Sequence, residues 1–286
     1  MLQGRLQEIE EGIHTHVGPD GESNRSIVVT REGSILIDNY IRYQEPLSAC
    51  LEEVGGSSVR FVVNTHSDMD HFSANQYFRR QGAVVLATTA SRARIQTMME
   101  SDVWVKELKA RNPAMAHEIV DPRETIPHLG LDGKSTLTLG GEDLECIPMG
   151  HGHCPGDMVV YMPSRQILFA GDLVFAGQHG RLKTADLDGL VQSLDRLLTL
   201  PVSTVIPGHG EPVIGQGRET IAIYRDYVVT LRREVDRMLG EGSSLEEMKE
   251  RLAAWKYAAW GRQHLFPVCV DHIYKDVVWR RRFRLE

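Results

Sequence analysis

Four metal-capable side chains fall within six residues in the stretch Thr65-His66-Ser67-Asp68-Met69-Asp70-His71, directly after the apolar run Val59-Arg60-Phe61-Val62-Val63. A short run rich in β-branched residues predicts a buried strand, so the polar cluster falls where that strand must end. The arrangement recurs downstream. His153 sits in Gly150-His151-Gly152-His153-Cys154-Pro155-Gly156-Asp157, Asp172 ends Ile167-Leu168-Phe169-Ala170-Gly171-Asp172, and His209 lies in Val205-Ile206-Pro207-Gly208-His209-Gly210. A lone His or Asp at a strand end means little; a series of such sites demands a fold that gathers several strand ends in one place. Glycines beside His153, Asp172 and His209 permit the tight turns by which side chains project inward there.

The rest of the chain supplies the elements around these points. Strands are predicted over 13–17, 26–30 and 34–38, a helix over 44–54, a short helix capped by Ser73, a strand over 84–87 and a helix from Ser91. Residues 101–128 are charged and contain Pro113, Pro122 and Pro127, and read as an irregular insertion that could wall the site. Further strands are predicted over 135–139, 144–147, 158–161, 166–170 and 203–206, with a helix over 186–199. From Arg218 the pattern is helical, broken at 240–244, where Ser244 followed three residues later by Glu247 forms a capping box. Strands, helices, strands and helices again predict an α/β (α+β) fold, an αββα sandwich of two mixed β-sheets with outer helices. The expected division is a domain over 1–217 and a C-terminal helical extension over 218–286, packed on it and reaching over the active site.

The net charge of −7, from 39 acids against 32 bases, argues against a nucleic-acid-binding surface. The basic stretch Arg280-Arg281-Arg282-Phe283-Arg284 reads as a solvated end. The four cysteines, Cys50, Cys146, Cys154 and Cys269, contain no C-x-x-C pair, which suits free thiols in a reducing compartment and offers no thiolate zinc site. No signal-peptide core and no run long enough to cross a bilayer is evident. The expectation is a cytoplasmic protein with a small-molecule substrate and neither a nucleic-acid nor a membrane partner. Its apolar C-terminal helices could cover a second subunit in a homodimer.

A divalent metal site needs imidazoles and carboxylates converging from rigid elements. The candidates are His66, Asp68, Asp70, His71, His153, Asp172 and His209. In this order they resemble the metallo-β-lactamase superfamily, whose signature is a His-x-His-x-Asp-His loop followed by His, Asp and His at successive strand ends. The resemblance implies that His66, residue 68 and His153 hold one metal, that Asp70, His71 and His209 hold a second, and that Asp172 bridges them. A hydroxide between the two metals would be the nucleophile, with Asp70 placed to ligate and to orient it. A bridging Asp172 resembles the glyoxalase II-like branch more than the lactamases. The implied activity is hydrolysis of an ester, thioester, lactone or similar bond, with two divalent metals, zinc first.

The second loop position is Asp68 where the family carries His. Either its shorter carboxylate still ligates, or the first metal site is weak or empty. A ligating Asp68 gives three carboxylates and four histidines, a harder donor set that favours iron or manganese relative to zinc. That set resembles the diiron branch with its His-x-Glu-x-Asp-His loop, so the alternatives are an oxygen- or NO-reactive redox protein and a binding protein with a degenerate first site. Asp38, ending another strand, could brace a ligating His or simply cap a turn. His151 reads as a solvated loop residue, Cys154 as buried packing, and His14 and His16 as functionless. His272, Tyr274 and His179 are the candidate substrate contacts.

Overall fold

The computed structural model describes residues 4–253 and 255–283. Period-two alternation gives each strand two faces to bury. In β5 (Val59–Val63), Val62 packs with helical Leu47, Leu51 and Phe78, whereas Phe61 and Val63 pack with residues of a second sheet. Three apolar clusters result: one between the sheets and one beneath the helices on each outer face. The architecture is the predicted αββα sandwich.

The first sheet has seven strands in chain order. β1 (Arg5–Glu10), β2 (Ile13–Val17), β3 (Arg25–Thr30) and β4 (Gly33–Ile37) run antiparallel. β5, β6 (Val84–Thr88) and β7 (Leu129–Leu131) continue parallel to β4. The second sheet contains β8 (Ser135–Leu139), β9 (Glu142–His151), β10 (Pro155–Met162), β11 (Ile167–Gly171) and β12 (Thr204–Pro207), in the order β12-β11-β10-β9-β8. Only its β11–β12 pairing is parallel.

Helices α1 (Gln44–Glu53), α2 (Met69–Phe72), α3 (Asn75–Arg80), α4 (Thr89–Met99) and α5 (Asp102–Arg111) lie on the side of the first sheet. α6 (Leu187–Leu197), α7 (Gly217–Gly240), α8 (Leu245–Ala253) and α9 (Phe266–Phe283) share one core with the outer face of the second. In α6 the buried residues Leu187, Leu190, Leu194 and Leu197 make one stripe, and the Asp186 carboxylate accepts the N–H groups of Asp188 and Gly189 at its start. The capping box forms: Ser244 N donates to Glu247 Oε2 at 2.7 Å, and Glu247 N to Ser244 Oγ at 3.3 Å.

Local differences from the sequence reading have physical causes. Residues 101–128 are not irregular throughout, since α5 and two 3₁₀ turns form there and all three prolines lie beyond α5. Ser73 is not the N-cap of α3 but ends α2, and its hydroxyl accepts from Ile41 N. β1 and β7 escape a hydrophobicity pattern because one is largely charged and solvated and the other is three residues long. Among the described residues no helix is long and apolar enough to cross a membrane.

Candidate metal centre

The parallel strands β4, β5, β11 and β12 end on one rim, and the site is built from the segments just beyond those ends. The loop after β5 carries His66, Asp68, Asp70 and His71, the β9–β10 turn carries His153, and Asp172 and His209 come directly after β11 and β12. Two triads of ligand atoms form, His66–Asp68–His153 and Asp70–His71–His209, each with its atoms within 4.8 Å of one another. Asp172 lies between them. Its Oδ2 is 3.9 Å from His66 Nε2, 3.5 Å from His153 Nε2 and 3.4 Å from His209 Nε2, while Oδ1 is 3.5 Å from His71 Nε2. Asp68 Oδ2 reaches to 3.3 Å from His153 Nε2, so its shorter side chain does arrive at the cluster.

These separations are long for charge-assisted hydrogen bonds. They match the roughly 3.4 Å between two donors sharing a tetrahedral metal at about 2.1 Å. The Nε2 atoms of His66 and His71 and Oδ1 of Asp172 are buried without a hydrogen-bond partner. Buried polar atoms left unpaired at one point call for a further group there. Four imidazoles and three carboxylates suit a divalent cation, so the residues fit the metal the sequence suggested.

The nitrogens turned away from the cluster are held by hydrogen bonds in His66, His71 and His209, whereas Nδ1 of His153 has no partner among the described residues. Asp38, at φ 60, places Oδ2 2.8 Å from His71 Nδ1 and 2.7 Å from Thr65 Oγ1, and its Oδ1 accepts Thr65 N at 2.7 Å. Thr65 Oγ1 in turn accepts from His66 Nδ1 at 3.0 Å, so one carboxylate orients two imidazoles. Asp38 therefore braces a histidine. His209 Nδ1 donates to Gly21 O at 2.7 Å. His153 is held through its backbone, because the Asp157 carboxylate accepts the N–H groups of Gly152, His153 and Cys154. A Cβ on Gly208 would lie 2.0 Å from Asp172 Oδ1, which explains glycine beside the central carboxylate.

Electrostatics in the cluster arise from packing acids against imidazoles out of water. Burial disfavours charge on His71, but Asp70, Asp172 and Asp38 outweigh it and raise its pKa to about 10. Burial likewise opposes charge on His153, and Asp172 and Asp68 raise it to about 9. Burial, then the charge on His71, lowers His66 to about 4. Burial works against ionised Asp68 and Asp172, yet the histidines hold both carboxyls well below the ordinary range.

Asp68 and Asp70, with side chains 25 % and 30 % exposed, are the acids of the cluster that look outward. They border a cavity of about 620 Å³ whose far wall comes from α4 and α5. Behind the cluster, the Phe175 ring stacks on His209 at 6.0 Å and lies 6.3 Å from His153.

The candidate substrate contacts fall elsewhere. His272 Nε2 donates to Ala185 O at 2.8 Å, Tyr274 packs on the core around α7 and α9, and buried His179 bonds Tyr227 through Nδ1 at 2.9 Å. None of the three lines the cavity that meets Asp68 and Asp70. Their helix and loop pack on the outer face of the second sheet, which buries His179 and half-buries His272 and Tyr274. His151 donates from Nε2 to Thr184 O at 2.8 Å, and Cys154 is buried with its thiol pKa pushed up by burial. His16 accepts from the guanidinium of Arg25, which is fully buried over the Tyr43 ring at 4.1 Å. Arg25 also donates to Ser23 Oγ at 3.1 Å, and Ser23 donates to the Asp70 carbonyl at 2.7 Å. Sequence reasoning gave no role to Arg25, Ser23 or Asp157; only Asp157 left a signal, ending the glycine-rich segment around His153.

Comparison with known proteins agrees with this geometry. A family model described as the metallo-beta-lactamase superfamily matches residues 18–209. The chain is 32% identical over 91 residues to a metallo-beta-lactamase type 2 from Bacteroides fragilis, covering 30% of this chain and 36% of that one. It is 29% identical over 162 residues to a hydroxyacylglutathione hydrolase from a Synechococcus species, covering 56% of this chain and 52% of that one. The chain thus spans about a third to about half the length of these two relatives. The solved structure of a metallo-beta-lactamase from Pontibacter korlensis superposes with a TM-score of 0.63 over 79% of this chain and 99% of that one, a likeness of fold at 24% identity.

Proposed function

The chain belongs to the metallo-beta-lactamase superfamily, and from that membership and the site's geometry we propose a metal-dependent hydrolase acting on an ester, thioester, lactone or similar carbonyl bond of a small molecule. The observation that carries the reading is the pair of triads joined through Asp172 and opening on a cavity. In this reading His66, Asp68 and His153 hold one metal, Asp70, His71 and His209 the other, and Asp172 serves both. Two divalent ions there, zinc first among the candidates, would supply Lewis acidity: a nucleophile drawn from water near neutral pH and a polarised carbonyl oxygen.

The chain's own residues set the conditions for that chemistry. Asp70, facing both the histidines and the cavity, orients the attacking water and takes up its proton at a carboxylate oxygen. Asp38 keeps the proton of His71 on Nδ1, leaving Nε2 free as a ligand. Phe175 closes the inner side of the site to solvent.

A second reading rests on the reach of Asp68. Three carboxylates in one donor set support iron and a redox reaction with oxygen or NO. Metal analysis of protein purified without added metal separates the readings. The hydrolase reading expects two equivalents of zinc, turnover of at least one member of an ester, thioester and lactone panel, and loss of metal in His153→Ala but not in His151→Ala. Two equivalents of iron with a visible absorption band, and no hydrolysis, would replace it with the redox reading.

A further inference from the structure

Three cations line the cavity beside the metal cluster without an acidic partner among the described residues: half-buried Arg94, and Arg181 and Lys183 at its exposed edge. Of its acids, Glu22 pairs with Arg42 at 2.9 Å, Glu107 pairs with Arg111, and Asp68 and Asp70 face the histidines. Arg94, Arg181 and Lys183 also line the cavity, and among the described residues none of the three has an acidic partner. The Nε of Arg94 is buried with no hydrogen-bond partner among the described residues. A buried guanidinium N–H without an acceptor is costly, and it persists where a bound group supplies the acceptor.

Two further observations bear on what that group is. The chain carries a net charge of −7, so three cations without acidic partners around the cavity that meets Asp68 and Asp70 run against its overall field. They turn a surface that repels anions into a local attractor for them. Arg94 is also firmly placed: Thr88, which caps the start of its helix, donates from Oγ1 to Gly156 O at 2.6 Å, a few residues from His153. Arg181 and Lys183 approach from the segment after Asp172. Met98 and Trp104 add an apolar wall on the α4–α5 side.

We propose that the substrate carries at least two negative charges, as carboxylate or phosphate, away from the bond that is cleaved, and that Arg94, Arg181 and Lys183 bind them. The cavity's 620 Å³ suits a small organic acid of this kind. Arg94 offers a planar fork to one anionic group, and Arg181 and Lys183, from the segment after Asp172, serve the other. The proposal deepens the hydrolase reading, on which its reacting bond rests, but anion binding itself is independent of turnover.

Calorimetry on the metal-loaded protein tests it, with butyrate, glutarate and glycerol 3-phosphate as probes. Glutarate or the phosphate should bind roughly tenfold more tightly than butyrate, an advantage that shrinks as salt rises. Whichever dianion binds more tightly identifies the anionic group. Arg94→Gln and the pair Arg181→Gln with Lys183→Gln should each erase most of that advantage while metal content and melting temperature stay unchanged; Lys183→Arg should keep it. Equal affinity for mono- and dianions, or an advantage surviving both variants, overturns the proposal. Hydrolysis of esters with no preference for anionic ones would also sink it and leave the hydrolase reading standing. Loss of dianion binding in the variants, with no ester turned over by the parent protein, would sink the hydrolase reading alone.

Discussion

Asp38 shows how far a single position can be read from sequence. Its place at a strand end allows both a turn cap and a brace for histidine, and only the convergence of β4 and β5 decides between them. The residue has φ 60, a left-handed conformation that Asp and Asn tolerate better than most side chains. Asp38→Asn should therefore fold. It replaces one carboxylate oxygen with a donor amide and removes the charge that holds the His71 and Thr65 protons. Metal affinity should fall about 10- to 100-fold, measured by chelator competition, with little change in the far-ultraviolet circular dichroism. Arg94, Arg181 and Lys183 carry no such local signal. They become notable only because the fold brings them to one cavity with no acidic partner among the described residues.

At the scale of elements, the strands were legible where both faces are buried, since β10 and β11 write their apolar content directly into the sequence. The insertion was not. Its prolines suggest irregularity, yet α5 forms ahead of them, and the long helix α4 beside it supplies part of the cavity wall. Thr88 ties that wall to the metal rim by accepting Ser91 N at 3.1 Å while donating to Gly156 O. Thr88→Ala removes a cap and leaves a buried carbonyl with one donor fewer, although Ser91 Oγ still reaches it at 3.0 Å. The expected cost is about 1–2 kcal/mol. It should appear in urea unfolding as a lower midpoint with an unchanged slope.

For the whole molecule, the charge cluster makes the stability of metal-free protein depend on pH, and metal removes the alkaline part of that dependence. In metal-free protein the pKa values of His71 and His153 rise from 6.5 to about 10 and about 9. Their contribution is complete below 6.5 and is lost as pH rises through 9 and 10. His66, lowered from 6.5 to about 4, acts oppositely, so its contribution is lost as pH falls from 6.5 through 4. The carboxyls of Asp68 and Asp172, held below 3.8, lose theirs only in stronger acid. Chelated protein should thus melt highest near pH 6.5 and progressively lower toward pH 10. Metal displaces the imidazole protons, so loaded protein should lack the alkaline decline and metal uptake should release protons, detected as buffer-dependent binding heats. A melting temperature of chelated protein that rises toward pH 10 would contradict this account. The sandwich and the seven clustered residues were legible because strand ends recur in order; the electrostatics were not, because they depend on distances between segments far apart in the chain.

The seven residues come from both sheets and lie between His66 and His209, so the cluster exists only after the two sheets have closed on one another. A chain with one sheet formed presents either the loop after β5 or His153, Asp172 and His209, and cannot complete either triad. Pairings this remote in sequence form late and make folding slow. An ion that recognises only the finished arrangement stabilises the native state by mass action and leaves the earlier states untouched. Metal supply therefore governs how long a finished molecule persists, and chain topology governs how soon it forms.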